Sequence, residues 1–581
     1  MAARLLIGFY IVRRLSLQLL LVVKLLLLWQ IVKNMQKVLT SAEMREIDLQ
    51  TTEKYGIPSI LLMENAAHAA ARIILEKVGG SVVDKTVLIL CGKGNNGGDG
   101  AALARVLWTL GADVEVCLIG KVEDTTGDAR TNFEILRRIS DQECFELTQA
   151  DIVLEEIETL EEWLEYDSLN FRSEDPEIIV DALFGTGLTR PLEDLHAQVA
   201  AFMFAYSMEN IEQETLIVAL DIPSGLNPDE AGKCCVTPCA DLTISFTAPK
   251  IANILPPACN YNGELFIANI GSPCELLNRT PSKTFLAEKT DAGDWLLKTK
   301  YKSNSYKNKR GHALIVGGAK NYAGAAILAG NAAIISGVGL ATVAAPESAH
   351  NAIASRMLPE VMTRSAAETE NGAISHEAVG EILEFIEGKI DAVAVGSGLS
   401  SSEESTRRFV REFVEQRKTP LVIDADGLNA LAPFELNGSD RLPLILTPHE
   451  GEFLKLLGAS DKEALKDRVK AARDFAEKHC VILVLKGERT LIAAPDGRVV
   501  INPTGNSGLG KAGNGDTLAG IITGFLAQAA QLKIDVFETV VAAVYLAGTA
   551  GDIAAENLGK RSMLASDVRE CLREAFEKIS N

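Results

Sequence analysis

Two series of apolar runs divide most of the chain into strand-like and helix-like segments. Between residue 40 and about residue 275, apolar runs alternate with segments of helical periodicity. The runs are KTVLILCG, DVEVCLIG, EIIVDALFG, TLIVALDIP, ADLTISF and GELFIANIG. Strands that alternate with helices predict a parallel sheet with helices on both faces. We therefore expect a three-layer α/β domain over residues 35–275.

A second series begins near residue 308 and predicts another three-layer α/β domain, over residues 308–581. Its runs are HALIVGG, LATVAAP, DAVAVGSG, PLVIDADG, PLILTPHE, VILVLKG and RTLIAAP. The intervening residues 276–307 are polar and rich in Ser, Asn and Lys, which is typical of a linker. The two series share no repeat, so the sequence indicates a fusion of two unlike domains. Ligand sites in such sheets are expected at the carboxyl ends of the strands.

The first 34 residues differ from the rest because they carry basic side chains and no acid. The bases, Arg4, Arg13, Arg14, Lys24 and Lys33, surround the apolar stretch SLQLLLVVKLLLLWQIV. This pattern suggests a membrane-directed segment, but Lys24 interrupts it and no cleavage site of small residues follows. We favour a translation start at Met35 over a membrane anchor. In either case the catalytic body is expected in the cytoplasm.

Composition and charge restrict the possible functions. The 581 residues, 47% of them hydrophobic, are too many for one core and indicate a folded chain of several domains. A net charge of −21 argues against nucleic-acid binding, which needs clustered Lys and Arg. Ten cysteines, mostly isolated, fit reduced thiols in a cytosolic protein. The cluster Cys234, Cys235 and Cys239 lacks a fourth ligand nearby, so no zinc site is expected there.

The stretch CGKGNNGGDG, residues 91–100, raises the possibility of a dinucleotide-dependent dehydrogenase. Gly92, Gly94 and Gly97 have the spacing G-x-G-x-x-G, and amides at a helix N-terminus can bind phosphate. Such a fingerprint also needs an acid for the ribose after the next strand, but DVEVCLIGK ends in Gly120 and Lys121. The dehydrogenase hypothesis is therefore weakened.

Polar side chains follow three strands of the first series, and together they predict a site. They are Asn95, Asn96 and Asp99 in the first loop, Asp181 before Gly185, Thr186 and Gly187 in the second, and Asp221 with Ser224 in the third. Amide, carboxylate and hydroxyl oxygens without His or Cys favour potassium, sodium or magnesium over zinc. Each loop alone could instead be a helix cap or a turn.

The motifs GNNGGDG, VDALFGTGL and DIPSGL resemble those of the NAD(P)H-hydrate epimerase family, over residues 40 to about 275. The resemblance implies a Rossmann-like domain that interconverts the R and S epimers of hydrated NAD(P)H at C6. It implies that Asp221 binds substrate and acts as the acid or base, and that Asn96, Asp181 and Ser224 bind potassium. The other implied substrate contacts are Asn95, Asn96, Gly97, Gly98, Asp99, Gly185, Thr186, Gly187, Leu188, Thr189, Arg190 and Pro191.

Near the end of the chain, GNSGLGKAGNGDTLAGIITGF joins a glycine-rich loop to an apolar helix. Gly513 and Gly515 expose amides at the start of that helix, as in a phosphate site, and Asp516 follows directly. A carboxylate there would repel a phosphate unless it acts, most naturally as general base for a hydroxyl that attacks a phosphoryl group. Asp516 could instead be a helix N-cap.

Further candidates end other strands of the second series. KGERT, residues 486–490, offers a cation and a turn for a nucleotide phosphate. His449 in TPHEGEF is either a satisfied core histidine or, as its strand-end position favours, a functional one. Asp424 and Asp426 in VIDADGLN could support a metal or the structure, and the sequence does not separate these roles.

This half resembles the ribokinase-like superfamily and, within it, the ADP/ATP-dependent NAD(P)H-hydrate dehydratases, over residues 300 to about 575. The matching stretches include MLPEVM, AVGSGLS, VIDADGLN, LTPHEGEF, LKGERT and AGNGD. The resemblance implies that the C6 hydroxyl of the S-hydrate is phosphorylated and that phosphate then leaves to restore NAD(P)H. Implied hydrate contacts are Ala325, Gly398, His449 and Asp516; implied nucleotide contacts are Lys486, Gly487, Glu488, Arg489, Thr490 and Gly515. Asn514 stands where Thr is common, and GNSGL replaces GNPGM.

Together the two resemblances imply a bifunctional repair enzyme for NADHX and NADPHX, because a dehydratase for one epimer needs a partner that converts the other. The fusion implies ADP with Mg²⁺ as phosphoryl donor, although ATP stays open, and a homo-oligomer is expected. The alternative is a small-molecule kinase, of the hydroxymethylpyrimidine type, fused to a Rossmann-like binding module without catalysis.

Overall fold

A computed structural model describes residues 35–141, 150–168, 176–188, 190–209, 215–232 and 236–580. Residues 37–581 form one compact unit that contains both predicted domains. The extension 1–34, and with it the choice between an anchor and a later translation start, lies outside the described residues, as do Thr189, Cys234 and Cys235.

The first domain is built on a seven-stranded sheet in which every neighbouring pair is parallel. After a two-residue strand β1 (Gln36–Lys37), the strands of this sheet are β2 (Thr86–Cys91), β3 (Asp113–Ile119), β4 (Ile152–Ile157), β5 (Ile178–Ala182), β6 (Leu216–Leu220), β7 (Leu242–Phe246) and β8 (Glu264–Ala268). The helices are α1 (Ser41–Tyr55), α2 (Ser59–Lys77), α3 (Asn95–Thr109), α4 (Gly127–Ser140), α5 (Leu160–Ser168), α6 (Asp194–Glu209), α7 (Ile251–Ile254) and α8 (Cys274–Arg279).

The strand order β4-β3-β2-β5-β6-β7-β8 reverses between β2 and β5. This is the Rossmann order, and the predicted fold of the first domain is confirmed. At such a reversal the loops after the two central strands separate and leave a crevice. The glycine-rich loop follows β2 and the VDALFGTGL loop follows β5, so both lie at this crevice.

Side chains of β2 alternate between two buried layers, as the pleat requires. Val87, Ile89 and Cys91 belong to a cluster with helices α2, α3 and α4. Leu88 and Leu90 belong to a second cluster that contains residues of α5 and α6. Helices therefore cover both faces of the sheet, which makes the domain three-layered.

The second domain surrounds a larger sheet. Its strands are β9 (Thr284–Leu286), β10 (His312–Val316), β11 (Leu340–Pro346), β12 (Val361–Ala366), β13 (Ala392–Val395), β14 (Leu421–Ile423), β15 (Leu444–Leu446), β16 (Ile482–Leu485), β17 (Thr490–Ala493) and β18 (Val499–Asn502). Its helices are α9 (Lys289–Lys298), α10 (Ala323–Ile335), α11 (Glu347–Ala354), α12 (Ala378–Ile386), α13 (Glu404–Glu415), α14 (Ala425–Ala430), α15 (Glu450–Leu457), α16 (Arg468–His479), α17 (Asn514–Leu532), α18 (Val536–Leu558) and α19 (Ala565–Ser580).

These ten strands run in the order β9-β18-β17-β16-β15-β14-β13-β10-β11-β12. The strands from β10 to β16 pair in parallel, whereas β16, β17 and β18 form an antiparallel ribbon. The α/β class is confirmed, with a mixed sheet. All the apolar runs quoted above are strands, whereas β1, β4, β9, β12 and β18 were not predicted.

The predicted linker 276–307 is largely folded. It contains β9, which pairs with β18, and α9. Trp295 of α9 stacks on Phe525 with ring centroids 4.0 Å apart, and its Nε1 donates to Thr539 Oγ1 at 3.1 Å. Val38, just after β1, donates its amide to the Thr284 carbonyl at 2.9 Å. Within the linker, β9 and α9 therefore pack on the second domain, because they carry apolar residues that the polar average of the linker conceals.

The two domains share buried contacts. Ile254 and Leu255 of the first domain belong to the same buried cluster as Leu485 and Leu491 of the second. Cys259 also faces Arg489, whose hydrogen bond and charge lower the pKa of the thiol, although burial raises it more. The KGERT loop of the second domain therefore lies against the first domain.

Within the described residues, one helix is long and apolar enough to cross a membrane. It is α18, and 78% of its apolar window is buried inside the molecule. A core helix of a folded domain has the same character.

Candidate functional sites

The glycines of CGKGNNGGDG allow close packing at the end of β2. A Cβ on Gly97 would lie 1.7 Å from the Gly92 carbonyl oxygen, and one on Gly92 would lie 2.1 Å from the Leu183 carbonyl oxygen. A Cβ on Gly98 would meet Ala129 at 2.8 Å, whereas one on Gly94, the N-cap of α3, would meet nothing within 4 Å. The G-x-G-x-x-G spacing thus reflects the contact of a turn with its own helix and with the neighbouring strand.

Asp181, at the end of β5, is fully buried and bound to Ser224 of the third loop. Its Oδ2 accepts the Ser224 amide at 2.7 Å, and its Oδ1 accepts the Ser224 hydroxyl at 2.6 Å. Burial raises the pKa of Asp181 to about 6, although these hydrogen bonds lower it. The Phe184 amide donates to Ser224 Oγ at 3.0 Å. The loops after β5 and β6 are therefore held together by buried oxygens.

Asn96, Gly185 and Asp221 bring all three polar loops to one point. A Cβ on Gly185 would lie 3.1 Å from Asn96 Oδ1 and 3.2 Å from Asp221 Oδ2. Asn96 is only 8% exposed, and its Nδ2 has no hydrogen-bond partner among the described residues. A buried donor without a partner costs about 1–3 kcal/mol, which indicates a ligand-binding position.

Asp221 is held in a constrained geometry by a buried lysine. Its φ of +66° lies in the left-handed region, which costs a non-glycine residue about 1–3 kcal/mol. Oδ1 accepts bonds from Ser245 Oγ and the Phe246 amide, each at 3.3 Å, and from the Lys250 ammonium. Lys250 is 1% exposed and also donates to Ser245 Oγ at 3.0 Å and the Phe246 carbonyl at 3.2 Å. The sequence prediction missed Lys250, whose only signal is a lysine four residues after the end of the buried strand β7.

Two further carboxyl groups belong to this site. The pKa of Asp99, on α3, is raised by burial and by the charges of Asp221 and Asp48. Asp48 lies on α1, and burial raises its pKa to about 6, with Lys250 lowering it and Asp221 raising it. The sequence prediction missed Asp48, because α1 precedes the sheet and carries none of the motifs.

The remaining predicted contacts of the first site lie on the loop after β5. Thr186 is half-buried, and Gly187, Arg190 and Pro191 are exposed. Asn95 is also exposed, but it is the first residue of α3, so the predicted loop 95–99 is the start of that helix. Leu188 is buried in a small cluster with Leu192 and Ala200. Thr189 lies outside the described residues. Contact of these residues with substrate stays a prediction.

The second site is organised by Lys486, at the end of β16. Its ammonium donates to Asp424 Oδ1 at 2.9 Å and lies 4.0 Å from Glu452 Oε2. Burial alone lowers the pKa of Lys486, but Asp424 and Glu452 outweigh it, so the net shift is upward and the side chain stays charged. A Cβ on Gly515 would lie 3.4 Å from the Lys486 ammonium and 3.8 Å from Asp424 Oδ2. The lysine therefore stands at the start of α17, as a phosphate-binding cation should.

Asp516 lies in the first turn of α17 and is not its N-cap. The N-cap is Gly513, with φ +90°, so the N-cap alternative is wrong. Asp516 is half-buried, and burial together with Asp424 raises its pKa to about 6, while a hydrogen bond from Ser397 and the charge of Lys486 lower it. A carboxyl group with this pKa can accept a proton near neutral pH.

His449 is a helix cap with an exposed ring, so the core-histidine alternative is wrong. It caps α15, and Nδ1 accepts the amides of Gly451 at 3.0 Å and Glu452 at 3.3 Å. The side chain is 61% exposed. Since Nδ1 is an acceptor, Nε2 carries the proton of the neutral ring and can donate to a ligand.

The structure separates Asp424 from Asp426. Asp424 is buried, caps α14 and pairs with Lys486. Asp426 accepts the Ser400 amide at 2.9 Å and the Ser401 hydroxyl at 3.0 Å, and so holds the loop after Gly398.

Ala325 and Gly398, both predicted hydrate contacts, are neighbours in space. A Cβ on Gly398, at φ +67°, would lie 3.0 Å from the Ala325 Cβ. The loop after β13 and the start of α10 thus meet beside the Asp426 loop.

Arg468 supports the predicted nucleotide loop and was missed by the sequence prediction. A Cβ on Gly487 would lie 2.2 Å from Arg468 Nη2, which itself lies 3.5 Å from the Arg489 carbonyl oxygen. Nε of Arg468 is 3.3 Å from Glu450 Oε1, and burial lowers the pKa of the guanidinium. The Arg468 guanidinium therefore fills the space beside Gly487, and a side chain at residue 487 would have to displace it.

Asn514, the unusual residue of the glycine loop, ties that loop to itself. Its Nδ2 donates to the carbonyls of Leu509 at 3.0 Å and Lys511 at 3.3 Å.

The described residues contain no group of three or more His, Cys, Asp or Glu that could hold a metal. Of the three cysteines in CCVTPC, only Cys239 is described, as a free thiol.

Comparison with known proteins identifies both halves. A family model described as NAD(P)H-hydrate dehydratase matches residues 313–574, and one described as YjeF-related protein N-terminus matches residues 59–252. The bifunctional NAD(P)H-hydrate repair enzyme Nnr of Moorella thermoacetica is 38% identical over 536 residues, covering 92% of this chain and 95% of that protein. The protein of the same name from Thermofilum pendens is 34% identical over 552 residues, 94% of this chain and 98% of that protein.

A solved structure is similar to part of the chain. It is the ADP/ATP-dependent NAD(P)H-hydrate dehydratase of Bacillus subtilis, co-crystallised with ATP and Mg²⁺, with 30% identity over 51% of this chain and 98% of that one and a TM-score of 0.44. The two repair enzymes are more than 30% identical to this chain, and the matches cover almost all of both sequences, so they decide the family. The chain belongs to the family of bifunctional NAD(P)H-hydrate repair enzymes.

Proposed function

We propose that the first domain interconverts the R and S epimers of NADHX and NADPHX at C6, and that the second dehydrates the S epimer at the expense of ADP. Family membership supplies the substrates. The observation that carries the proposal is Asp516, a half-buried carboxyl group of raised pKa beside Lys486 at the start of α17. A carboxylate in that position is unfavourable for holding a phosphate alone, but it is what a general base for a phosphorylated hydroxyl requires.

In the dehydration, Asp516 takes the proton of the C6 hydroxyl while that oxygen attacks the terminal phosphorus of the nucleotide. The bond between the two phosphates of ADP breaks, and AMP leaves. The C6–O bond then breaks, phosphate departs with the bonding electrons, and loss of a proton from C5 restores the double bond of NAD(P)H. Lys486 stabilises the negative charge on the transferred group, because its ammonium stays charged beside Asp424.

Different loops bind the nucleotide and the hydrate. Gly515 and residues 486–490 hold the nucleotide, and Ala325, Gly398 and His449 contact the hydrate. Mg²⁺ would enter with the nucleotide and offset the charge of its phosphates. Arg468, behind Gly487, fixes the backbone of the nucleotide loop.

In the first domain, Asp221 is the acid or base at C6, because Lys250 and the surrounding donors fix its carboxylate next to Asn96 and Gly185. The hydrate lies in the crevice between the loops after β2 and β5. Asn96 Nδ2, which no described residue satisfies, is available to the substrate.

Potassium fits the oxygens of Asn96, Asp181 and Ser224 in the same domain. These donors are all buried and include no nitrogen or sulfur ligand. A cation there would offset the cost of the buried Asp181 charge. In the test, KCl should raise the melting temperature of the wild-type protein more than LiCl at equal ionic strength. Replacing Ser224 with Ala should remove that difference.

The test of the whole function is incubation of the protein with mixed NADHX epimers and ADP. Full recovery of NADH absorbance together with stoichiometric release of AMP and phosphate is expected, because both epimers must pass through the second site. A stable phosphorylated product without NADH would support the small-molecule kinase instead. Recovery that stops when the S epimer is exhausted would remove the epimerase function.

We also propose that the reactions occur in the cytoplasm and that the protein is a homo-oligomer. The cytoplasmic location is supported by the cysteines that the structure describes, all of which are free thiols. Fractionation of cells that express the full chain, and light scattering of the purified protein, test these two points.

A further inference from the structure

A second carboxyl group, Asp48, joins Asp221 in the first site from an element outside all the sequence motifs. Asp48 lies on α1, whose Ile47 is buried in one cluster with Ala248, two residues before Lys250. Leu39, just before α1, donates its amide to the Pro249 carbonyl at 2.9 Å. These contacts fix α1 against the segment that carries Lys250.

The environments of the two carboxyl groups differ. Oδ1 of Asp221 accepts hydrogen bonds from three groups, Ser245 Oγ, the Phe246 amide and the Lys250 ammonium. Oδ1 of Asp48 is buried and has no hydrogen-bond partner among the described residues. Asp99 adds a third acidic group: the charges of Lys250 and Asp221 act on Asp48, and those of Asp221 and Asp48 act on Asp99. Neighbouring carboxyl groups in unequal environments divide into an acid and a base.

The cluster is open to a ligand rather than closed on itself. Asn96, 8% exposed, has an Nδ2 without a partner among the described residues, and its Oδ1 borders the space beside Gly185 next to Asp221 Oδ2. A purely structural carboxylate cluster would satisfy these atoms internally.

We propose that Asp48 is the proton donor that works with Asp221 in the epimerisation, a role that rests on the proposed function of the first domain. Asp48 gives its proton to the C6 hydroxyl, which leaves as water with the electrons of the C6–O bond. The ring nitrogen supplies its electron pair to C6. Water then adds to the other face of C6 and loses a proton to Asp221, and proton exchange between the carboxyl groups returns the site to its starting state. The protons and the water balance, and nothing is oxidised.

Two properties of the rate follow from this assignment. A group that must be protonated gives a rate that falls as pH rises through its pKa, which is about 6 for Asp48. Asn is nearly isosteric with Asp but cannot donate the proton, so Asp48→Asn should lower kcat by about 10²–10⁴-fold with a much smaller change in KM.

The experiment measures conversion of the R into the S epimer of NADHX by the full chain without nucleotide, so that the second domain is idle. The spontaneous rate at each pH is subtracted. Asp48→Asn is compared with Glu53→Gln, which neutralises an exposed acid on the same helix and should keep the wild-type rate. Dehydration of pure S epimer with ADP reports in each variant whether the second domain is folded, and thermal melting of the full chain reports whether the first domain is; both should be unchanged.

The outcomes separate the two proposals. If the wild-type protein does not epimerise, the proposed function of the first domain fails. If it does, and Asp48→Asn keeps its kcat and its pH profile, only the role of Asp48 fails. If Asp48→Asn loses the control activity, Asp48→Glu is tested instead. In that variant the descending limb of the pH–rate profile, near pH 6 in the wild type, should persist at a displaced pH. A limb that is absent in the wild type, or that does not move in Asp48→Glu, overturns the proposal.

Discussion

The Lys486 ammonium lies 2.9 Å from Asp424 Oδ1, and Thr447 Oγ1 donates to the same oxygen at 2.7 Å. Asp424 is buried, and Lys486 is the cation that pairs with it. The Lys486 side chain is 21% exposed and lies beside Gly515 at the start of α17. One ion pair thus serves both the stability of the second domain and its phosphate site.

Replacing Lys486 with Met should therefore harm both. Removing one partner of a buried pair leaves the other uncompensated, and we expect a loss of about 3–5 kcal/mol in unfolding free energy of the second domain. The KM for ADP should rise as well. Denaturation and ADP titrations check this, with Lys455→Met as control, because Lys455 is an exposed lysine of α15. Equal stability of the two variants would contradict the prediction.

The pH dependence of dehydration should follow Asp516. A general base must be ionised, so kcat/KM should fall as pH falls through about 6, the pKa to which burial and Asp424 raise this group. The Ser397 hydrogen bond lowers that pKa. Ser397→Ala should therefore move the acid limb to higher pH.

The matched control for this shift is Ser401→Ala, which removes a hydroxyl that binds Asp426 rather than Asp516. Its acid limb should stay where the wild-type limb lies. A limb that moves equally in both variants, or to lower pH in Ser397→Ala, would exclude Asp516 as the titrating base.

Gly97→Ala should destabilise the first domain, although Gly97 belongs to a motif usually associated with ligand binding. Its new Cβ would lie 1.7 Å from the Gly92 carbonyl oxygen, whereas Gly94→Ala adds a Cβ in open space. Overpacking of this kind costs about 1–3 kcal/mol or more. Thermal melting of the two variants checks the difference, and a Gly97→Ala protein as stable as Gly94→Ala would refute the packing role.

Arg468 and Gly487 should behave as a coupled pair. Gly487→Ala alone should raise the KM for ADP, because its Cβ would displace the Arg468 guanidinium, 2.2 Å away. In an Arg468→Ala background the same substitution should cost much less. A double-mutant cycle on the KM for ADP measures the coupling, and additive effects would show that the arginine does not position the loop.

The strands that the hydrophobic pattern predicted are mainly those buried on both faces. β2 and β5 read as continuous apolar runs because helices cover both sides of the sheet. β4, IVLEEI, lies at the edge of the sheet and is only half-buried, so its acidic residues obscured it. β9 was missed because three residues inside a polar segment give too short a pattern.

The residues of the candidate sites likewise divide into those that the local sequence predicts and those that only packing brings to the site. By itself, the sequence determined which polar residues end the strands or begin a helix. It therefore placed Asp181 and Asp221 at the sheet edge and Asp516 at the start of a helix, because that placement depends only on local order along the chain. Only the tertiary structure decided that Asp48, Lys250 and Arg468 join them. These side chains come from helices or loops distant in sequence, and burial and pairing, which give them their chemistry, exist only once those elements pack.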